Sequence, residues 1–275
     1  MEGARQEAAV AMTAHHGAAT PGVVVGIVGG VVLVCLGAVA VLWWRGDRWP
    51  LRRTAALVGA GLGVVALLVP VPAGEFTAHM VGHMLVGMVV PLLVALARPM
   101  ALLVRCSPAG WVRRGLVGLL RSRVVSVLVF APVAALVDVG GLWVLYRTEL
   151  LAVSAQHGWL HVVVHFHVFA AGVLFSVAVC QVDPVRYRLG VVARGGVLVA
   201  ASAAHAVLAK TLYLGAPPGT SFAPRDVEVA AMVMYYGGDL VEIALAVVIA
   251  LQWYRQRGRQ WAGQARGMRT TTTST

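Results

Sequence analysis

Seven apolar runs, nearly free of charge and each long enough to matter, dominate this chain. They cover roughly residues 22–44, 54–70, 79–97, 123–146, 154–180, 190–213 and 229–254. About 20 apolar residues in a helix cross the roughly 30 Å of hydrocarbon in a bilayer. Composition leaves little alternative. Hydrophobic residues make up 59% of the 275 and charged residues 12%, about half the share of a soluble domain, which is roughly 25%. The expected fold is all-α: a polytopic integral membrane protein of seven transmembrane helices. Pro70 and Pro72 end the second run early. Residues 100–104 are apolar but too few to cross, and are expected at the interface. No basic segment precedes the first run, which therefore reads as a helix rather than a cleaved leader.

The 22 Lys and Arg against 11 Asp and Glu resemble a nucleic-acid signal until their positions are examined. Eighteen lie in the segments 45–53, 98–123, 181–194 and 255–269; the alternate set holds only Arg5, Arg147, Lys210 and Arg225. Basic residues concentrate on the cytoplasmic side of membrane proteins. The pattern therefore predicts an N-terminus outside, a cytoplasmic C-terminus, a cell-membrane location and no nucleic-acid partner. Trp43, Trp44, Trp49, Trp253 and Trp261 fall near the cytoplasmic ends, where interfacial aromatics belong. Three parts are expected: a flexible extracytoplasmic segment 1–21, a transmembrane domain 22–254, and a basic disordered tail 255–275. Cys35, Cys106 and Cys180 are widely spaced and form no CxxC, which argues against a disulfide framework.

Ionisable side chains inside a bilayer are costly and mark function by default. Here they concentrate. The third run carries His79 and His83 one turn apart. The fifth carries His157, His161 and His165 at i, i+4, i+8, a stripe drifting only about 40° per step. Asp138 lies in the fourth run, His205 in the sixth, and Asp239 and Glu242 in the seventh. With the expected orientation, all of these lie between the outer surface and about the midplane. Imidazoles at i, i+4 can grip a metal together. Imidazole suits copper, zinc and iron, and thioether favours Cu(I). Met80, Met84 and Met88 accompany the third-run histidines, and Met12, His15 and His16 lie near the N-terminus. Plainer readings stand beside these. His205 alone reads first as an interhelical hydrogen bond, the methionines as packing residues, and the His15–His16 pair as incidental. Asp138, Asp239 and Glu242 could orient imidazoles, carry protons or bond helices together.

The segment from His79 and Met80 through His83 to Pro91-Leu92-Leu93 resembles the signature of the CtaG family, the multi-spanning assembly factors of caa3-type cytochrome c oxidases. Asp138-Val139-Gly140-Gly141-Leu142-Trp143 and the histidines opening the fifth run extend the resemblance over most of 22–254. Ala97-Arg98-Pro99 departs from the family's Gly-x-Pro turn, and Gly82 stands where a larger polar residue is expected. The resemblance implies an assembly role rather than catalysis, with oxidase subunits as partners and Cu(I) as the handled metal. The resemblance itself carries over to His79, Met80, His83, Pro91, Asp138, His157 and His161; together with the residue pattern, the expected metal ligands are His79, His83, His157, His161 and His165, with Met80, Asp138, His205, Asp239 and Glu242 in supporting or proton-linked roles. Two other classes fit the residues: a haem- or quinone-linked redox protein, and a proton or ion transporter. A rhodopsin does not fit, because the lone lysine, Lys210, is not in the seventh run.

Overall fold

The structure is a computed structural model. It describes the backbone of residues 2–108, 110–183 and 188–272, and the side chains of 22–23, 25–108, 110–183 and 188–258. Met12, His15, His16 and the C-terminal TTTTST lie outside the described side chains. Among the described residues the secondary structure is helical, joined by short turns and loops, without a strand. Five helices are long and apolar enough to cross a membrane: Val25–Trp44, Glu75–Ala97, Gly158–Cys180, Val191–Tyr213 and Pro224–Gly258. The first and last belong to longer helices, α1 (Glu2–Trp44) and α12 (Pro224–Thr272). The boundaries expected at 21/22 and 254/255 therefore fall inside continuous helices. Two further expected spans are shorter, α2 (Leu51–Ala66) at 16 residues and α8 (Ala131–Arg147) at 17.

Proline and glycine explain where helices break. Pro132 has no N–H for the carbonyl four residues back, and its ring crowds that position. The expected single span 123–146 accordingly divides into α7 (Arg123–Leu128) and α8. Pro91 acts in the same way on Gly87. Between α3 (Glu75–Met84) and α4 (Val90–Ala97) lies a π-helical stretch, Leu85–Val89, in which the Val90 N–H reaches back to the Leu85 carbonyl. A π-bulge adds a residue to the turn without ending the helix, so the third span stays whole. The fifth span starts later than expected. The short α9 (Leu150–Gln156) stops before Gly158, and His157, extended at φ −126° and ψ 103°, is the N-cap of α10 (Gly158–Cys180).

The buried side chains gather in five hydrophobic clusters, of which two surround the polar groups of α3 and α12. One joins Phe76, Met80, Tyr146, Leu208, Leu212 and Met234; the other joins Met84, Phe175, Val179, Leu198 and Leu245. Met80 and Met84 are both buried, so this part of the methionine stripe forms the seam between α3 and α12. Exposed Leu33, Leu62, Leu136, Val199 and Leu240 cover the outside. Apolar patches of that extent belong against lipid.

The first turn of α3 is held from far along the chain. Gly74, its N-cap, has no side chain to cap with. Asp226, near the start of α12, does so instead: its carboxylate accepts from the Phe76 N–H at 2.8 Å, the Thr77 N–H at 3.0 Å and the Thr77 hydroxyl. Any Cβ on Gly74 would overlap that carboxylate. A carboxylate here satisfies orphan donors and opposes the positive helix end. Asp226→Ala is expected to cost about 1–2 kcal/mol. That is about 2–8 °C in unfolding midpoint, readable by heating the detergent-solubilised protein and following dispersity.

Candidate functional site

The Asp226 cap seats α3 so that His79 faces α8 and α10. Nε2 of His79 lies 3.1 Å from the hydroxyl of Tyr146 on α8. Its ring also meets His165 of α10 edge to face, with centroids 6.2 Å apart. His161 stacks on His165 at 4.1 Å. Nδ1 of His165 donates to the His161 carbonyl at 2.9 Å. That bond leaves the lone pair on Nε2, the nitrogen free to ligate. His161 Nδ1 is buried with no hydrogen-bond partner. Three imidazoles from two helices therefore crowd one place, with a phenol beside them.

One turn deeper, His83 is buried and its Nε2 is likewise unpartnered. Its ring stands edge-on to Tyr146 at 5.9 Å. Farther along α3 a second polar group gathers. His205, on α11 (Val191–Tyr213), places Nδ1 3.4 Å from Glu242 of α12, while its Nε2 is buried and unpartnered. Gly238 makes room for that imidazole, because a Cβ there would overlap it. Asp138 of α8 is half-buried and within electrostatic reach of Glu242. Glu242 thus sits against His205 of α11, with Asp138 of α8 in its neighbourhood.

His157 stands apart from the other members of the expected set. The stripe anticipated at i, i+4, i+8 is a pair, because the helix carrying it begins at Gly158. His157 is exposed, and its Nδ1 donates to the Val153 carbonyl at 3.1 Å. His167 packs against Gly141 of α8, away from the cluster. Met80 is fully buried, with its sulfur 3.9 Å from the Tyr146 hydroxyl. Asp239 is half-buried on α12. Among the described residues no three His, Cys, Asp or Glu are disposed to hold a metal ion together. What the arrangement offers is paired imidazoles with buried, unpartnered nitrogens.

Tyr146 was not singled out in the sequence, yet it touches His79, His83 and Met80 together. The available signal was its place two turns beyond Asp138, which is about 80° around the same helix. A phenol at a span end reads first as an interfacial anchor, and only the packing of α3 against α8 reveals the contact.

Residues 32–256 match the sequence pattern of the cytochrome c oxidase caa3 assembly factor family. The chain belongs to that family. The match covers the histidine cluster, Asp138 and the His205–Glu242 pair, so the whole site lies in the family's common region. Among curated proteins the chain is 29% identical over 246 residues to the uncharacterized protein Mb0105 of Mycobacterium bovis. It is 27% identical over 239 residues to the uncharacterized protein ML1998 of Mycobacterium leprae. These alignments cover 80% and 78% of this chain but only 37% and 36% of the relatives. The chain therefore spans little more than a third of their length. No solved structure matches it.

Proposed function

We propose that this member of the oxidase assembly family holds Cu(I) in the outer half of the cell membrane and hands it to a cytochrome c oxidase subunit. His79, His161 and His165 form the entry site, and His83 lies one turn below. His157 stands at the mouth and takes copper first or not at all. The observation that carries the reading is the convergence of His79 with His161 and His165 across α3 and α10. Cu(I) accepts two-coordinate binding, so a pair of imidazoles suffices, and a loose site suits an ion that must leave again. Met80 and Tyr146 position the α3 imidazoles. Asp138, Asp239, His205 and Glu242 supply the deeper polar group, where the Glu242–imidazole pair has the form that orients a ligating histidine.

The purified protein, loaded anaerobically with Cu(I) and desalted, is expected to retain about one copper per chain, as imidazole and thioether ligands suit copper. Retention of none would overturn the copper reading, and a Soret band on the isolated protein would replace it with the redox one.

The proposed topology has seven crossings, α2 and α8 being the additional two, with the histidine cluster facing outward and the arginine-rich face inward. A helix of 16 or 17 residues is at the short end of what spans. With the native cysteines replaced, Glu149→Cys is expected to react with a membrane-impermeant thiol reagent on intact cells. Leu119→Cys is expected to react only after permeabilisation. The reverse pattern would invert the topology.

A further inference from the structure

At the end of the bundle opposite the histidines lies a cavity of about 520 Å³. Its walls are the end of α10, the first turn of α11, α12 and the start of α5 (Pro99–Cys106). Among the described residues four arginines line it, Arg98, Arg188, Arg194 and Arg255, and no acidic side chain does. Among the described residues none of the four forms a salt bridge. The nearby carboxylate of Asp183 accepts from the Met100 and Ala101 N–H groups at 3.3 and 3.2 Å and lies within electrostatic reach of Arg98, one charge against four.

Arg194 is the built element of this cavity. It is 3% exposed. Nη1 donates to the Val179 carbonyl at 2.8 Å and to the Gln252 side chain at 2.9 Å. Gln252 in turn donates to the Cys180 carbonyl at 2.6 Å. The guanidinium is thereby clamped at the C-terminal end of α10, where a cation is favoured. Its Nε is buried with no partner. Arg98 adds a second feature. It joins α4 to α5 in the left-handed region, at φ 60° and ψ 62°, a conformation uncommon for a residue other than glycine.

We propose that this cavity binds a phosphate group. A guanidinium fork matches phosphate oxygens, and four guanidiniums lining one cavity without a salt bridge among the described residues favour an anionic ligand. Basic pockets between membrane helices take anionic lipid head groups in this way. A soluble phosphate presents the same chemistry, and the test separates the two sources.

The full chain is purified in a neutral detergent and its unfolding midpoint is read with cardiolipin, phosphatidylcholine or inorganic phosphate added, beside native mass spectrometry. The expected result is a rise of about 5 °C with cardiolipin, a retained cardiolipin mass, and no response to phosphatidylcholine. A response to inorganic phosphate alone would support the site with a soluble ligand. Arg98→Gln/Arg255→Gln spares the clamped Arg194 and is expected to fold and to lose the response. His79→Ala/His165→Ala is expected to keep it. No response to either phosphate source, or an undiminished response in the arginine variant, would overturn the proposal.

Discussion

His79→Ala/His165→Ala is expected to lower Cu(I) affinity by about 100-fold or more, since supporting partners alone are worth 10- to 100-fold at metal sites. Competition against a colorimetric Cu(I) chelator reads that loss. In cells depending on this chain, oxidase activity in membranes is expected to fall in parallel while the variant accumulates normally. His157→Ala is the internal comparison. It is exposed and bonded to its own segment, so its replacement is expected to change affinity by less than about threefold, the effect of an outlying group. A large loss from His157→Ala with none from the double variant would move the site to the mouth and sink the proposed ligand set.

Among the described glycines, Gly172→Ala is expected to be the most disruptive replacement by alanine. A Cβ on Gly172 of α10 would overlap the carbonyl oxygen of Gly87, a backbone atom in the π-helical stretch. A flexible side chain could swing away, but a backbone carbonyl moves only with its helix. Overpacking of that kind costs about 3 kcal/mol or more. That corresponds to about 6–12 °C in unfolding midpoint by the scaling for chains of this size. Pushing α10 from the third span also widens the gap between His165 and His79, so Cu(I) affinity is expected to drop with stability. Gly82→Ala is the control. Nothing stands within 4 Å of its added carbon, and the midpoint is expected to hold.

The long apolar runs were legible because the bilayer imposes length and composition on each helix by itself, with no need to know its neighbours. Helix interruptions were less legible. Pro70 and Pro72 announced the end of the second span, but Pro91 and Pro132 are the same residue type with different outcomes. At Pro91 the chain absorbs the missing hydrogen bond in a π stretch backed by Gly172. At Pro132 it breaks between Leu128 and Ala131. Which happens depends on what packs alongside. The candidate site divides similarly. His79, His83, His161 and His165 were readable as polar groups on apolar helices. His157 was expected on the same stripe from spacing and from the resemblance, and the spacing assumes a helix that in fact starts one residue later. Tyr146 and the Asp226 cap were not readable, since neither has a local partner.

The sequence by itself determined the helical class, the long membrane helices and the gathering of polar groups toward one end of them. Each of these follows from hydrophobicity and the 3.6-residue repeat, which are properties of a segment. Tertiary structure alone decided which imidazoles meet, that a carboxylate 150 residues away caps α3, and that Gly172 and Gly238 clear space for a backbone and a ring. Those depend on the rotation and depth of one helix against another. In lipid, where helix faces differ little in polarity, small residues and a few hydrogen bonds set that rotation.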